Sequence, residues 1–167
     1  GVVLLALAWG IAAGTQFGAP YLFGAFIIYL PASLVIVACI ERYHAHSRFG
    51  LANGITLVRL IVCSLLAGFA AEASTSLMTV PPEVAWLYFA ISVGSLILDG
   101  FDGLAARHQR LSSPFGARFD MEVDALQILV LSVAAFALAK AGWWILIGGV
   151  LRYLFMLASS AWPVLAV

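Results

Sequence analysis

The sequence predicts an all-α protein, a polytopic bundle of helices that cross a membrane. Hydrophobic residues make up 64% of the 167 residues and charged residues 10%, and the mean hydropathy is +1.09. These values exclude an ordinary soluble domain. Membrane strands are not expected, because the apolar stretches are too long and lack alternation. In lipid the backbone polar groups must be satisfied within the chain, so a helical bundle is the expected architecture.

About six apolar segments are candidates for membrane-spanning helices. The first, fourth and fifth are short for a full span, so we expect flanking residues or the bilayer to adapt. The pair Pro81 and Pro82 marks the turn into the fourth segment. In chain order the six candidates are Val2–Phe17, Pro20–Ile40, Gly54–Ala71, Val84–Leu98, Val123–Ala139 and Trp143–Leu165.

The few charged residues predict how the bundle is oriented. Arginines concentrate in segments 41–53 and 102–119, whereas segment 72–83 carries two glutamates and no basic residue. By the positive-inside rule, the two arginine-containing segments face the cytoplasm and segment 72–83 faces away. The formal net charge is zero, and we expect no nucleic-acid partner.

Four aspartates stand at the predicted cytoplasmic ends of the fourth and fifth segments. Asp99 and Asp102 are three residues apart and Asp120 and Asp124 are four apart, so each pair shares a helix face. Antiparallel neighbouring helices would bring the pairs together. Their charges would then repel, and a cation removes that repulsion. We also expect the negative dipole end of the fourth helix to favour a cation there.

The residues between the two aspartate pairs indicate a phosphate-containing ligand. All-oxygen ligands favour Mg²⁺, Mn²⁺ or Ca²⁺ over zinc, and Mg²⁺ is usually bound together with substrate phosphates. Gly103 and Gly116 would let a phosphate approach the backbone, Ala106 is small for the same reason, and Arg107 can pair with phosphate oxygens. Alternatively, the glycines break helices and the carboxylates pair with nearby arginines, which explains the charge balance but not the spacing.

This run of residues resembles the signature of the CDP-alcohol phosphotransferase (CDP-alcohol phosphatidyltransferase) family, D-x-x-D-G-x-x-A-R-x8-G-x-x-x-D-x-x-x-D. Eight fixed residues at fixed spacing are far more specific than a short glycine motif. Every fixed position is present, as Asp99, Asp102, Gly103, Ala106, Arg107, Gly116, Asp120 and Asp124. A weaker match to N-x-x-T-x-x-R, found at the start of the family's first core helix, is formed by Asn53, Thr56 and Arg59.

The resemblance also suggests a domain organisation. It covers residues 48–167, which we expect to form the catalytic core, and leaves residues 1–47 as two N-terminal transmembrane helices. The family's core has six helices, so the third to sixth segments would be core helices one to four. The chain also begins and ends close to apolar runs. Together these observations predict a fragment of a longer protein that lacks the last core helices.

The resemblance implies a membrane-embedded enzyme of phospholipid biosynthesis. Such an enzyme moves a substituted phosphate from a CDP-linked lipid donor, commonly CDP-diacylglycerol, to the hydroxyl of an acceptor alcohol and releases CMP. It implies Mg²⁺ or Mn²⁺ bound by Asp99, Asp102 and Asp120, with Asp124 as general base and partial ligand. It further implies a nucleotide or phosphate site formed by Asn53, Thr56, Arg59, Gly103, Ala106, Arg107 and Gly116.

Two further arginines are candidates for contact with an acceptor or a phosphate. Arg152 lies within the last apolar segment, and an arginine inside a membrane is by default a functional candidate. It could instead pair with a motif carboxylate or extend towards an interface. Arg118 could reach a substrate phosphate, or it could simply help to set the orientation of the bundle in the membrane. Glu122 falls between the motif aspartates on another helix face, and we expect no metal ligation from it.

Two other functions compete with this interpretation. Membrane prenyltransferases also use aspartate-rich motifs and Mg²⁺, but their motifs lack the D-G-x-x-A-R core seen here. A cation-binding transporter would usually place its charges near the bilayer midplane, between broken helices, rather than at helix ends.

The few charges and compact form favour a bacterial cytoplasmic (inner) membrane, with the active site at the cytoplasmic face. Because family members are often dimers, a homodimer is a further expectation.

Overall fold

The computed structural model describes residues 2–15, 17–43, 51–75, 80–109 and 114–161. Within these ranges, the side chains of residues 39–43, 102–109, 114, 156–157 and 159–161 are outside the description. The described residues form six helices and no strand, which confirms the predicted fold class. The helices are α1 (Val2–Gly14), α2 (Ala19–Tyr43), α3 (Leu51–Thr75), α4 (Pro82–Gln109), α5 (Pro114–Ala137) and α6 (Ile145–Ala161).

The outer surface of the bundle is strongly apolar, as lipid contact requires. Trp86 on α4 is 70% exposed and Phe23 on α2 is 67% exposed. Within the described residues, three helical segments are long and apolar enough to cross a membrane: Ala19–Ala38, Leu51–Thr75 and Pro82–Phe101. Val2–Gly14 and Ile145–Phe155 are shorter apolar helices. The chain therefore folds as a helical membrane bundle.

Two helices extend well beyond the apolar segments that predicted them. α4 continues from Leu98 to Gln109, and α5 begins at Pro114 rather than near Val123. Pro114 suits the first turn of a helix, because its missing N–H would have no intrahelical partner there. The expected effect of the α4 dipole on the aspartates was wrong. Asp99 is followed by residues 100–109 of the same helix, and dipole effects fall off within the last turn.

α3 is the central helix of the bundle. It packs against α1, α2, α4 and α5, while α5 also packs against α6. One face of α3 is therefore buried along most of its length, including the polar residues near its start. The buried positions are Asn53, Thr56, Arg59, Leu60, Cys63, Ser64, Leu66, Ala67, Gly68, Phe69 and Ala70.

The contact between α2 and α3 depends on small residues. A Cβ atom added at Gly24 would lie 2.6 Å from the Cβ atom of Ala71, and one added at Gly68 would lie 2.6 Å from the carbonyl oxygen of Tyr21. Glycine and alanine at such positions let two membrane helices approach closely. The two backbones are therefore in direct contact.

A carboxylate from α3 fixes the start of α2. Glu72 accepts hydrogen bonds from the backbone N–H groups of Gly18 (3.2 Å) and Tyr21 (3.1 Å). The first N–H groups of a helix have no intrahelical acceptor, and a negative charge there also suits the helix dipole. α2 is thus positioned on α3 by backbone packing and by this capping interaction.

Substitution at Gly68 tests the close approach of α2 and α3. We expect Gly68→Ala to lower the free energy of unfolding by about 1–3 kcal/mol, because the new methyl group would collide with backbone and the helices would have to separate. Thermal unfolding of the detergent-solubilised protein measures the effect. Gly94→Ala on α4 is the matched control, since a Cβ atom there meets nothing within 4 Å. Equal unfolding temperatures for the two variants would contradict the close packing.

Candidate active site

Arg59 lies at the centre of a cluster of charged side chains. Its side chain is completely buried on α3. One guanidinium nitrogen, Nη1, lies 2.7 Å from Oδ1 of Asp99 and 2.8 Å from Oδ1 of Asp120. The other, Nη2, donates a hydrogen bond to Oδ1 of Asp124. Carboxylates from α4 and α5 therefore converge on one guanidinium from α3; we call these four residues the Arg59 cluster.

The helix packing explains why the cluster forms. α3 contacts both α4 and α5, and the four-residue spacing of Asp120 and Asp124 points both carboxylates towards it. A buried arginine without partners would be very costly, and the planar guanidinium can bind several carboxylate oxygens at once. The aspartates are thus what allows a charged residue to occupy this position in the bundle.

The carboxylates of the cluster remain accessible although Arg59 is not. The side chains of Asp99 and Asp124 are each 39% exposed and that of Asp120 is 35% exposed. One oxygen from each of the three lies within 4.8 Å of the others. Three carboxylates and one guanidinium give this set a formal charge of −2. A half-exposed, oxygen-only set with this charge fits a hard divalent cation, so these residues are suited to hold one.

The weaker N-terminal motif lies beside the cluster. Asn53 and Thr56 are 6% and 2% exposed and share the buried face of α3 with Arg59. The hydroxyl of Thr56 donates a hydrogen bond to the carbonyl of Ala52 at 3.1 Å. The half-buried Gly116 lies one turn before Asp120 on α5. The structure therefore brings these predicted nucleotide-site positions to the same end of the bundle as the cluster.

The other signature residues lie in the last part of α4. The backbone continues as a helix through Asp102, Gly103, Ala106 and Arg107, whose side chains lie outside the described part of the chain. Asp102 follows Asp99 by one helical turn and so shares its helix face. The alternative is wrong about the glycines, since Gly103 lies within α4 and Gly116 within α5. Its other part is confirmed, because carboxylates of the signature pair with an arginine, Arg59.

Arg118 and Arg152 are not part of the Arg59 cluster. Arg152 on α6 donates a hydrogen bond from Nη2 to Oε1 of Glu122 at 2.6 Å. Arg118 is an exposed residue of α5 that lines a groove on another face of the helix. As expected, Glu122 points away from the aspartates. The partner of Arg152 is therefore a carboxylate outside the family signature, which the sequence analysis had not identified.

The family model of the CDP-alcohol phosphatidyltransferases matches residues 49–166. The chain belongs to this family. Neither the curated proteins nor the solved structures included a match to it. Membership confirms the resemblance and makes the protein an integral membrane transferase of substituted phosphate groups in phospholipid synthesis, acting on a CDP-alcohol and an acceptor alcohol. The match gives no support to the prenyltransferase and transporter alternatives.

A buried polar pair lies next to the cluster and was missed by the sequence analysis. Ser95 on α4 donates a hydrogen bond from its hydroxyl to Oε1 of Gln127 on α5 at 3.2 Å, and both residues are at most 3% exposed. Ser95 is one turn before Asp99, and Gln127 is nearly one turn after Asp124. The Nε2 atom of Gln127 is buried without a hydrogen-bond partner in the described part of the chain. The position of Gln127 within the apolar fifth segment could have indicated a buried polar contact.

Removal of the central guanidinium tests the electrostatics of the cluster. We expect Arg59→Gln to lower the free energy of unfolding by about 3–5 kcal/mol, because it leaves the carboxylates without their shared counter-charge. Millimolar Mg²⁺ or Mn²⁺ should stabilise this variant more than the original protein. Thermal unfolding with and without a chelator measures both effects. The control is Arg118→Gln, which removes an exposed arginine; equal losses in both variants would contradict the central role of Arg59.

Proposed function

We propose that the protein transfers a phosphatidyl group from CDP-diacylglycerol to the hydroxyl of an acceptor alcohol and releases CMP. The observation that carries the proposal is the convergence of Asp99, Asp120 and Asp124 on Arg59 at the signature of a CDP-alcohol phosphatidyltransferase. The acceptor oxygen forms a bond to the β-phosphorus, and the bond from that phosphorus to the bridging oxygen breaks. The bridging oxygen leaves with CMP, and the acceptor proton passes to a base.

The aspartates supply the residues that would hold a metal. We assign Asp99, Asp102 and Asp120 as ligands of Mg²⁺ or Mn²⁺, with a share from Asp124. The support is the set of carboxylate oxygens offered by Asp99, Asp120 and Asp124 and its formal charge of −2 with Arg59 included. When bound, a divalent cation neutralises charge on the phosphate oxygens of the donor.

Asp124 is the proposed general base. A base must lie within hydrogen-bond reach of the hydroxyl that it deprotonates, and the 39% exposure of this carboxylate leaves it accessible to a substrate. The hydrogen bond from Arg59 fixes the orientation of this carboxylate. Arg59 thereby acts as a positioning residue for the base as well as a counter-charge for the cluster.

The remaining signature residues would hold the nucleotide and its phosphates. We assign this role to Asn53 and Thr56 on the buried face of α3 and to Gly103, Ala106, Arg107 and Gly116 on α4 and α5. Arg59, which the resemblance also assigned to this site, pairs with the aspartates instead. The arginine distribution supports a cytoplasmic active site, where a soluble CMP product could leave. The bacterial inner membrane, the homodimer and a phosphate contact for Arg152 stay predictions.

The reaction can be tested by measuring CMP release from CDP-diacylglycerol in liposomes with Mg²⁺ or Mn²⁺ and a panel of acceptor alcohols. We expect Asp124→Asn to lower kcat by about 10²–10⁴-fold, because a positioned base contributes that much, while CDP-lipid binding persists. Glu122→Gln is the matched control, since this carboxylate lies on the same helix but binds Arg152. Near-unchanged turnover of Asp124→Asn would exclude it as the base. Binding of CDP-diacylglycerol without CMP release for every acceptor would contradict the donor assignment.

Metal binding has a test that does not depend on turnover. Bound Mn²⁺ is measured directly by electron paramagnetic resonance during titration of the purified protein. We expect Asp99→Asn and Asp120→Asn each to weaken Mn²⁺ affinity at least tenfold, since each removes a charged oxygen ligand, and Glu122→Gln to leave it unchanged. Equal affinity in all three variants would place the metal outside the cluster.

A further inference from the structure

A groove of about 590 Å³ lies between α2, α5 and α6, away from the Arg59 cluster. Its α5 wall includes Phe115 and Phe119, whereas Asp120 and Asp124 project from a different face of the same helix towards α3. This volume falls in the range of pockets that bind small molecules, roughly 300–1,000 Å³. The groove is therefore large enough for a ligand and separate from the aspartates.

The lining of the groove is almost entirely apolar. Ile27, Pro31 and Val35 form its α2 wall, and Tyr153 contributes from α6. Ile27 is 53% exposed and Val35 is 61% exposed. Because Ala19–Ala38 of α2 is long and apolar enough to span a membrane, we infer that these side chains lie at the depth of the lipid chains. An acyl chain is the apolar molecule most abundant at that position.

Two charged residues of α5 lie on the wall of this groove. Arg118 and Glu122 both line it, but the carboxylate of Glu122 is bound to Arg152 at 2.6 Å. Within the described residues Arg118 has no carboxylate within ion-pair distance. An arginine at a membrane edge lays its apolar stem along the hydrophobic surface and presents its guanidinium to a phosphate. The groove thus combines an acyl-chain surface with a phosphate-binding group.

We propose that the groove binds one anionic phospholipid of the bilayer as a resident ligand, with an acyl chain between α2 and α5 and its phosphate on Arg118. This lipid is not a substrate, because its site lies on a different face of α5 from the catalytic aspartates. An apolar helix from a second copy of the chain would cover Arg118 without supplying a counter-charge, which is unfavourable. A lipid phosphate supplies that charge, and anionic lipids are attracted to basic residues at the membrane surface.

Native mass spectrometry of protein extracted from phosphatidylethanolamine–phosphatidylglycerol vesicles tests the proposal. We expect one phosphatidylglycerol to remain bound per chain. Arg118→Gln, which removes the phosphate ligand, and Ala32→Trp, which fills the groove, should each reduce this retention at least tenfold. Two matched controls should retain the lipid: Lys140→Gln, which removes an exposed cation after α5, and Ala90→Trp, which adds the same bulk on an exposed position of α4.

Three results would overturn the proposal. Equal retention in Arg118→Gln and Lys140→Gln would show that the lipid is held by general attraction at the bilayer surface. Stoichiometric displacement of phosphatidylglycerol by CDP-diacylglycerol would assign the groove to the substrate. A dimer that is lost in Ala32→Trp but kept in Ala90→Trp would assign the groove to a second copy of the chain.

Discussion

The ion cluster around Arg59 is the interaction on which the rest of the bundle depends. A guanidinium with no exposed surface is stable inside an apolar protein only if opposite charges surround it. Asp99 from α4 and Asp120 and Asp124 from α5 provide them. The same contacts connect three helices at one end of the bundle and hold the carboxylates close together. Structural stability and the geometry proposed for catalysis therefore come from one set of contacts.

The arrangement of small residues and charges gives α3 its central position. Gly24 and Gly68 allow α2 to contact α3 backbone to backbone, and Glu72 on α3 caps the start of α2. On its other sides α3 packs against α4 and α5, which carry the aspartates. Since the cluster needs α3, α4 and α5 in register, the packing of the apolar part of α3 indirectly determines the distances between the carboxylates.

α5 separates two chemically different environments. One face carries Asp120 and Asp124 and meets Arg59; another carries Phe115, Phe119 and Arg118 along the apolar groove. Glu122 interacts with Arg152 on α6 and so is kept out of the carboxylate cluster. Because Glu122 pairs with Arg152, it stays apart from the proposed metal ligands and from Arg118, the proposed phosphate ligand. The two proposed ligands, a metal-bound substrate and a lipid, would therefore occupy different faces of α5.

The sequence by itself determined the helical membrane fold, the family and the pairing of aspartates on helix faces, because these follow from hydropathy, residue spacing and a specific signature. The tertiary structure decided which basic side chain pairs with the aspartates. Arg59 is forty residues before Asp99 in the chain, and only the packing of α3 against α4 and α5 brings them together. Glu122 and Arg152 are likewise far apart in the chain, and the packing of α5 against α6 brings them together. The extension of α4 to Gln109 could not be predicted from the sequence either. Hydropathy indicates where contact with lipid ends, and helical hydrogen bonding continues beyond that point.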